Sequence, residues 1–147
     1  MESLSLFQLT RDNKSLSCPL FMLVLPGTSC SLFNNVTFPG RIYRRGFDQF
    51  LRTGSQKPLI AAIEGFALAG GLEVALTCDL LVAAEDAKIG IREVKVGLFA
   101  AGGALLRLPR RVPYSIAMEM ALTGQPITAD QAKNHGLVSR VTEKDGT

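Results

Sequence analysis

The chain contains 147 residues, of which 47% are hydrophobic and 20% are charged, and its formal net charge is +3. These values exclude a highly charged disordered chain, and the length favours a single domain with a sizeable core. Because the net charge is so small, we expect no nucleic-acid partner.

The cysteines and the apolar runs bear on the cellular compartment. Cys18, Cys30 and Cys78 show no C-x-x-C spacing, so we expect neither a disulfide framework nor a zinc site, but a reducing compartment. No apolar run approaches the roughly 20 residues that a membrane span requires. Glu2 and Asp12 disfavour a signal or transit peptide. We therefore expect a cytoplasmic protein without a membrane partner, with the mitochondrial matrix and the peroxisome left open.

The first part of the chain differs in character from the rest. Its apolar clusters are isolated, and they predict a strand at residues 20–25 and a short helix at residues 47–51. Four arginines and Lys57 give it a local positive charge, which is either a solvated face or an anion contact. The sequence divides into an atypical N-terminal segment, residues 1–56, for which poor order is one interpretation, and a core domain, residues 57–147.

From residue 58 onward the pattern is that of an α/β protein. The apolar run at residues 59–63 predicts a strand buried on both faces, as in a parallel sheet. The next predicted elements are a helix at 72–77, a strand at 79–84, an extended piece at 87–90 and helical turns at 102–108 that end at Pro109. A further helix is predicted to begin with Pro113 and to end at Gly124. The last helix is predicted to begin with a Thr128–Gln131 capping box and to end near His135, and a strand follows at 137–141. The alternation of strands and helices predicts an α/β fold.

Paired glycines precede the first helix of this region, in Ala69-Gly70-Gly71. The first N–H groups of a helix lack intrahelical partners, and the helix dipole favours negative charge there. A backbone N–H aimed at a developing oxyanion is worth about 3–4 kcal/mol in known enzymes. The alternative is a tight strand-to-helix turn in which the glycines serve steric needs alone.

Two carboxylates are candidates for acid/base chemistry. Glu73 lies in the first turn of the predicted helix, and Glu93 lies in a predicted loop after a strand. Two carboxylates in one pocket divide acid and base roles when their environments separate their pKa values. The alternative is structural: Glu73 complements the helix dipole, and Glu93 pairs with Arg92 or Lys95 at the surface.

Other kinds of site have less support. His135 is the only histidine, and no G-x-S-x-G motif occurs, so a Ser-His-Asp triad is not expected. Cys78 lies among apolar residues and is predicted to be an inert core thiol. Arg107, Arg110 and Arg111 are predicted either to contact phosphate or to form a solvated helix end or a subunit contact.

Residues 57–73, KPLIAAIEGFALAGGLE, resemble the signature stretch of the enoyl-CoA hydratase/isomerase (crotonase) family. The resemblance continues through Cys78-Asp79-Leu80, Ile89-Gly90, Glu93-Val94-Lys95, Gly97-Leu98, Gly102-Gly103, Arg107-Leu108-Pro109, residues 117–124, Ala132 and Gly136-Leu137-Val138. It covers residues 57–147, and the combined spacing is far more specific than any single piece.

The resemblance implies a crotonase-like α/β fold of repeated ββα units, acyl-CoA thioesters as substrates, and a homo-oligomer, either a trimer or a hexamer. It implies that Gly70 supplies one of two N–H groups of an oxyanion hole. It further implies that Glu73 and Glu93 act as an acid/base pair on the substrate double bond. Because both carboxylates are kept, it favours hydration over isomerisation. It implies no metal or redox cofactor, since the substrate itself carries coenzyme A.

The same resemblance suggests which residues contact the substrate. Ala69, Gly71 and Gly102 fall in its glycine-rich stretches. Phe66 and Phe99 are predicted to line an acyl tunnel, with core packing as the alternative.

Some features of the family are not matched. Residues 1–56 contain no segment resembling A-G-x-D-L, which carries the other oxyanion donor in the family. The C-terminal helices of the family have no counterpart in this sequence. Arg92 occupies a position where a proline is common in the family. Two alternatives to a hydratase therefore stay open. One is a catalytically impaired or inactive fragment that binds coenzyme A or other subunits, and the other is an isomerase or another reaction on the same scaffold.

Overall fold

A computed structural model describes residues 21–28, 47–55 and 58–143. Its strands are β1 (Phe21–Thr28), β2 (Leu59–Leu68), β3 (Leu80–Ala84), β4 (Lys88–Gly90), β5 (Ile127–Thr128) and β6 (Arg140–Thr142). Its α-helices are α1 (Phe47–Thr53), α2 (Gly70–Ala75), α3 (Ala104–Arg107), α4 (Tyr114–Thr123) and α5 (Ala129–Asn134), and two short 3-10 helices span Glu93–Val96 and Leu108–Arg110. The predicted α/β character is confirmed.

Strand β2 is the centre of the sheet. Its first half pairs in parallel with β1 on one side and with β3 on the other, and its last three residues pair in parallel with β4. The strand order is β5-β4-β2-β3-β6, with β1 also paired to β2. The parallel sheet predicted from the apolar run at 59–63 is confirmed, and β2 continues five residues further because β4 supplies a second set of partners.

The described part of the N-terminal segment packs with the core. Phe21 lies opposite Leu59 in the β1–β2 register, and Phe50 and Leu51 of α1 are buried in the same hydrophobic cluster as β2. The strand and the helix predicted for this segment are therefore present. Its other residues, including Cys18, Cys30 and the arginines at 41, 44 and 45, lie outside the described residues, and the domain boundary at residue 57 stays a prediction.

The core is built from aliphatic side chains on both faces of β2 and β3. Ile63, Leu72 and Leu81 are fully buried, together with many alanines that allow the helices to approach the sheet closely. Burial of apolar surface on both faces is what a parallel sheet requires. Within the part of the chain that the structure describes, no helix is long and apolar enough to cross a membrane.

The helix predicted at 72–77 lies at Gly70–Ala75, and the strand predicted at 137–141 lies at Arg140–Thr142. The other helix boundaries follow the predicted capping residues, with two exceptions at prolines. Pro109 does not end the helical segment but lies inside the 3-10 helix that follows α3, because the first positions of a helix do not use their N–H groups. Pro113 precedes helix α4 instead of being its first residue. Its backbone is extended, and its carbonyl accepts hydrogen bonds from the N–H groups of Ile116 (3.0 Å) and Ala117 (3.1 Å).

The other predicted caps are confirmed. Thr128 Oγ1 accepts from the N–H of Gln131 at 3.2 Å, and Gln131 Oε1 accepts from the N–H of Thr128 at 2.9 Å. Gly124 ends α4 with a φ of 63°, in the left-handed region that favours glycine.

Two reciprocal hydrogen bonds join the N-terminal ends of β2 and β3. The N–H of Leu59 donates to Asp79 Oδ2 at 2.7 Å, and the N–H of Asp79 donates to the carbonyl of Leu59 at 2.9 Å. Asp79 therefore fixes the start of the central strand against its neighbour.

We expect Asp79→Ala to lower the free energy of unfolding by about 1–2 kcal/mol, because it leaves the Leu59 N–H without its charged acceptor. Asp79→Asn keeps an acceptor oxygen and should lose less. Urea unfolding of both variants measures this, and equal losses for the two would contradict the hydrogen-bond explanation.

Candidate active site

The topology of the sheet brings the two predicted glutamates to one edge. Strands β2 and β4 are parallel neighbours, with Leu68 opposite Gly90 at their ends. Helix α2 with Glu73 follows β2, and the 3-10 helix that begins at Glu93 follows β4. Both side chains thus lie beyond the carboxyl ends of adjacent parallel strands, which is where open α/β sheets place their ligands.

The carboxylate of Glu73 is buried in a largely apolar setting. Glu73 is 6% exposed and is the one charged residue buried within the described part of the chain. Its Oε1 accepts a hydrogen bond from the backbone N–H of Ala104 at 3.3 Å, across from the start of α3. A carboxylate removed from water is costly and is poorly explained by the helix dipole alone. The geometry therefore disfavours a purely structural role at the helix end.

Glu93 lies next to this carboxylate and is half-buried. Burial raises the pKa of Glu93, its own backbone N–H opposes that rise, and the negative charge of Glu73 raises the pKa further. Its Oε2 is shielded from solvent and has no hydrogen-bond partner among the described residues. The surface pair with Arg92 or Lys95, considered from the sequence, is not formed among those residues. The Glu93 carboxyl therefore lies within electrostatic reach of the Glu73 carboxylate.

The turn before α2 presents backbone donors. Ala69 has a φ of 53°, and within the described ranges it is the one non-glycine residue with a positive φ. Its N–H donates to the carbonyl of Gly90 at 2.9 Å, and its carbonyl accepts from the N–H groups of Leu72 (2.9 Å) and Glu73 (3.1 Å). Among the residues that the structure describes, the N–H groups of Gly70 and Gly71 donate to no acceptor, as expected at the first turn of a helix. Left-handed backbone at a non-glycine residue is costly and is concentrated at functional sites.

Gly102 forms part of the wall around the Glu73 carboxylate. A Cβ atom built on Gly102 would lie 2.7 Å from Cδ of Glu73 and 2.9 Å from Cδ1 of Leu51. Only a residue without a side chain fits there unless its neighbours move. The structure therefore brings Gly102 to Glu73, and it places Leu51 of α1 beside Gly102 as the second residue of this wall.

The two predicted tunnel phenylalanines are not core residues. Phe66 is 50% exposed and Phe99 is 72% exposed, so the core-packing alternative is wrong for both. Phe66 lies in β2 three residues before Ala69, and Phe99 lies in the loop after Glu93. Their contact with an acyl chain stays a prediction.

Sequence reasoning missed three contributors to the site. Leu51 and the N–H of Ala104 carry no signal in the sequence, because one is a wall residue from a distant segment and the other is a backbone group. Arg107 was considered for phosphate or solvent. Its guanidinium instead donates to the carbonyls of Leu51 and Gly102.

The remaining candidates lie in structural positions. Arg111 donates to the carbonyl of Cys78, and Arg110 is exposed. Burial raises the pKa of the Cys78 thiol to about 12, which keeps it neutral and fits the predicted inert core thiol. No group of three or more His, Cys, Asp or Glu side chains that could hold a metal ion occurs among residues 21–28, 47–55 and 58–143.

Comparison with known proteins gives the family. The family model described as enoyl-CoA hydratase/isomerase matches residues 42–146. The chain belongs to the enoyl-CoA hydratase/isomerase family. The match begins upstream of Lys57, so it includes helix α1, which supplies Leu51 to the wall around Glu73.

Individual relatives of the family are similar over the same region. The chain is 52% identical over 87 residues to an (E)-benzylidenesuccinyl-CoA hydratase of Thauera aromatica, a match that covers 59% of this chain and 34% of that protein. It is 48% identical over 91 residues to a 2,3-dehydroadipyl-CoA hydratase of Escherichia coli strain K12, covering 62% of this chain and 36% of that protein. The chain thus spans about a third of the length of these curated relatives.

Solved structures of the family share the crotonase-like fold. An enoyl-CoA hydratase from Mycobacterium marinum superposes with a TM-score of 0.70 at 45% identity, covering 86% of this chain and 52% of that one. An enoyl-CoA hydratase subunit from Geobacillus kaustophilus superposes with a TM-score of 0.69 at 29% identity over the same shares of the two chains. The predicted fold class is confirmed over the part of the fold that this chain contains.

We expect Glu93→Gln to raise the unfolding midpoint at neutral pH. The pKa of Glu93 is raised in the folded state above its ordinary value of 4.5, so ionisation of this carboxyl opposes folding increasingly as the pH rises above 4.5, and fully above the folded pKa. The gain should shrink as the pH falls from the folded pKa towards the ordinary value and vanish below it, because the carboxyl is then protonated in both states.

Thermal unfolding of wild type and variant from about pH 4 to pH 8 checks this, since the linkage relation predicts a pH-dependent difference. Glu85→Gln, on an exposed turn, is the matched control for removal of a carboxylate at the surface. A pH-independent gain for Glu93→Gln would contradict the assignment.

We expect Gly102→Ala to lower the free energy of unfolding by about 1–3 kcal/mol, the usual cost of overpacking. Because the collision is with the carboxylate of Glu73, the cost should fall when Glu73 is replaced by Ala in the same chain. Urea unfolding of the two single variants and the double variant gives the coupling, and additive costs would show that the strain lies elsewhere.

Proposed function

We propose that the protein is an enoyl-CoA hydratase that adds water across the double bond of a 2-enoyl-CoA thioester. The observation that carries the proposal is the pairing of a buried carboxylate, Glu73, with a second carboxyl group, Glu93, whose pKa is raised by burial and further by the charge of Glu73. Two carboxyl groups in different settings at one site can divide the acid and base roles that addition of water requires.

The different settings of the two carboxyl groups suggest their roles. Glu73 accepts the Ala104 N–H on one oxygen, which orients the carboxylate and leaves Oε2 to accept a proton from water. Burial raises the pKa of Glu93, which favours its acid form relative to a carboxyl group in water and suits it to deliver a proton to carbon. Glu73 is therefore proposed as the base and Glu93 as the acid.

The proposed addition forms one C–O bond and one C–H bond, and the two carboxyl groups exchange one proton each. Water gives a proton to Glu73 while its oxygen forms a bond to the β-carbon, and the π electrons move into the thioester to form an enolate. Glu93 then gives its proton to the α-carbon, which yields the 3-hydroxyacyl thioester. Proton exchange with solvent returns Glu73 to the anion and Glu93 to the acid.

The turn before α2 is proposed to stabilise the enolate. The N–H of Gly70 is a free donor at the first turn of the helix and is proposed to bond the thioester oxygen as negative charge develops there. One such donor contributes about 3–4 kcal/mol. Ala69, Gly71, Gly102, Phe66 and Phe99 are proposed to line the substrate.

The relatives indicate the class of substrate. The similar proteins from Thauera aromatica and Escherichia coli are named as hydratases of benzylidenesuccinyl-CoA and 2,3-dehydroadipyl-CoA. For this chain we propose an acyl-CoA thioester without a choice among acyl groups. The homo-oligomer, the cytoplasmic location and the absence of a metal or redox cofactor stay predictions.

We expect Glu73→Gln and Glu93→Gln each to lower kcat for hydration of a short trans-2-enoyl-CoA by about 10²–10⁴-fold, the usual contribution of a general acid or base. The measurement is loss of the enoyl-thioester absorbance, with identification of the 3-hydroxyacyl product to exclude isomerisation. Glu85→Gln is the control and should retain the wild-type rate. Unchanged rates in both site variants would refute the proposed roles.

A second candidate, an interaction module of impaired activity, is favoured by one observation. Large apolar side chains are exposed near the site, with Val96 at 71%, Leu98 at 66%, Phe99 at 72% and Leu106 at 71%. Exposed apolar patches mark surfaces that bind partners. The same assay distinguishes the two candidates, because the module would bind the thioester or another subunit while the wild-type chain shows no hydration.

A further inference from the structure

We propose that Arg107 is a positioning residue that holds the wall around the Glu73 carboxylate in place. Its effect on catalysis rests on the proposed function. The inference is carried by the two carbonyl groups that its guanidinium joins and by where those two carbonyls lie.

The guanidinium of Arg107 connects two separate segments of the chain. Nη1 donates to the carbonyl of Gly102 at 3.0 Å, and Nη2 donates to the carbonyl of Leu51 in α1. Gly102 lies against the Glu73 carboxylate, and Cδ1 of Leu51 borders the same space beside Gly102. Arg107 therefore links the backbones of Gly102 and Leu51.

The chain leaves room for this guanidinium. Gly103 has a φ of 110°, and a Cβ atom there would lie 3.1 Å from Cζ of Arg107 and closer still to Nη1. The glycine thus serves both its left-handed backbone and the arginine that lies against it. This packed position of the guanidinium differs from the solvated helix end that was one of the sequence-based expectations for Arg107.

Fixing this segment also fixes the donor that orients Glu73. Ala104 is the first residue of α3, two residues after Gly102, and its N–H bonds Glu73 Oε1. The backbone N–H of Arg107 bonds the carbonyl of Gly103 at 3.0 Å, so the arginine belongs to the same turn as that donor. A shift of the turn relative to α1 would move both the wall and the donor.

Arginine is suited to this task in a way that lysine is not. Its planar guanidinium presents several N–H donors in a fixed fork, whereas a lysine ammonium is a single point on a flexible stem. Two carbonyls on different segments can be joined in one geometry by the fork alone. Arg107→Lys should therefore restore only part of what Arg107→Met removes.

The first test combines kinetics with a second background. Arg107→Met is expected to lower kcat by about 10–100-fold, the scale of a misplacement near 1 Å, with a smaller change in KM. In the Glu73→Gln background the same substitution should have little further effect on kcat, because the group that it positions is no longer a base. Arg110→Met, on the exposed neighbouring arginine, should match wild type.

The inference is overturned if Arg107→Met lowers kcat by the same factor in both backgrounds, or lowers the unfolding midpoint without changing kcat. If Arg107→Met does not fold, Arg107→Lys is used instead. The supporting result is then a loss of kcat in the wild-type background and no further loss in the Glu73→Gln background.

A second test does not depend on activity. Amide hydrogen exchange at Ala104, followed by NMR, reports the bond from its N–H to Glu73. Exchange at this amide should rise by about tenfold or more in Arg107→Met, as expected when a local hydrogen bond opens, and should not change in Arg110→Met. An unchanged rate in Arg107→Met overturns the inference. The wild-type protein could show no hydration activity while exchange at Ala104 still rises in Arg107→Met. That outcome would refute the proposed function and leave the positioning role standing.

Discussion

Burial of the Glu73 carboxylate is the constraint on which the site depends. A carboxylate away from water is costly unless it is hydrogen-bonded or paired, and here the described partner is one backbone N–H at 3.3 Å. The fold accepts this cost and places a glycine and the start of a short helix against the carboxylate. Burial raises the pKa of the second carboxyl group, Glu93, and the charge of Glu73 raises it further.

The parallel sheet explains why the two glutamates meet. They are twenty residues apart in sequence, but each follows a strand that ends at the same edge, and the bond from Ala69 to Gly90 ties the two strand ends together. The strained turn at Ala69 belongs to the same junction. A single arrangement of β2 and β4 therefore places Glu73, Glu93 and the turn before α2 at one edge of the sheet.

The described part of the N-terminal segment completes this site. Helix α1 contributes Leu51 to the wall, and Arg107 binds the carbonyl of the same residue. The family match, which begins at residue 42, includes this helix. The chain spans about half of the solved Mycobacterium marinum hydratase.

The sequence by itself determined the α/β class, the parallel strands, most of the caps and the pair Glu73 and Glu93, because periodicity, capping residues and short glycine motifs are local. It also determined the family resemblance. Only the tertiary structure decided that Glu73 is buried, that Glu93 has no surface ion pair, that the two phenylalanines are exposed and that Arg107 binds two carbonyls. Those properties depend on contacts between distant segments and on backbone groups, which leave no pattern along the chain.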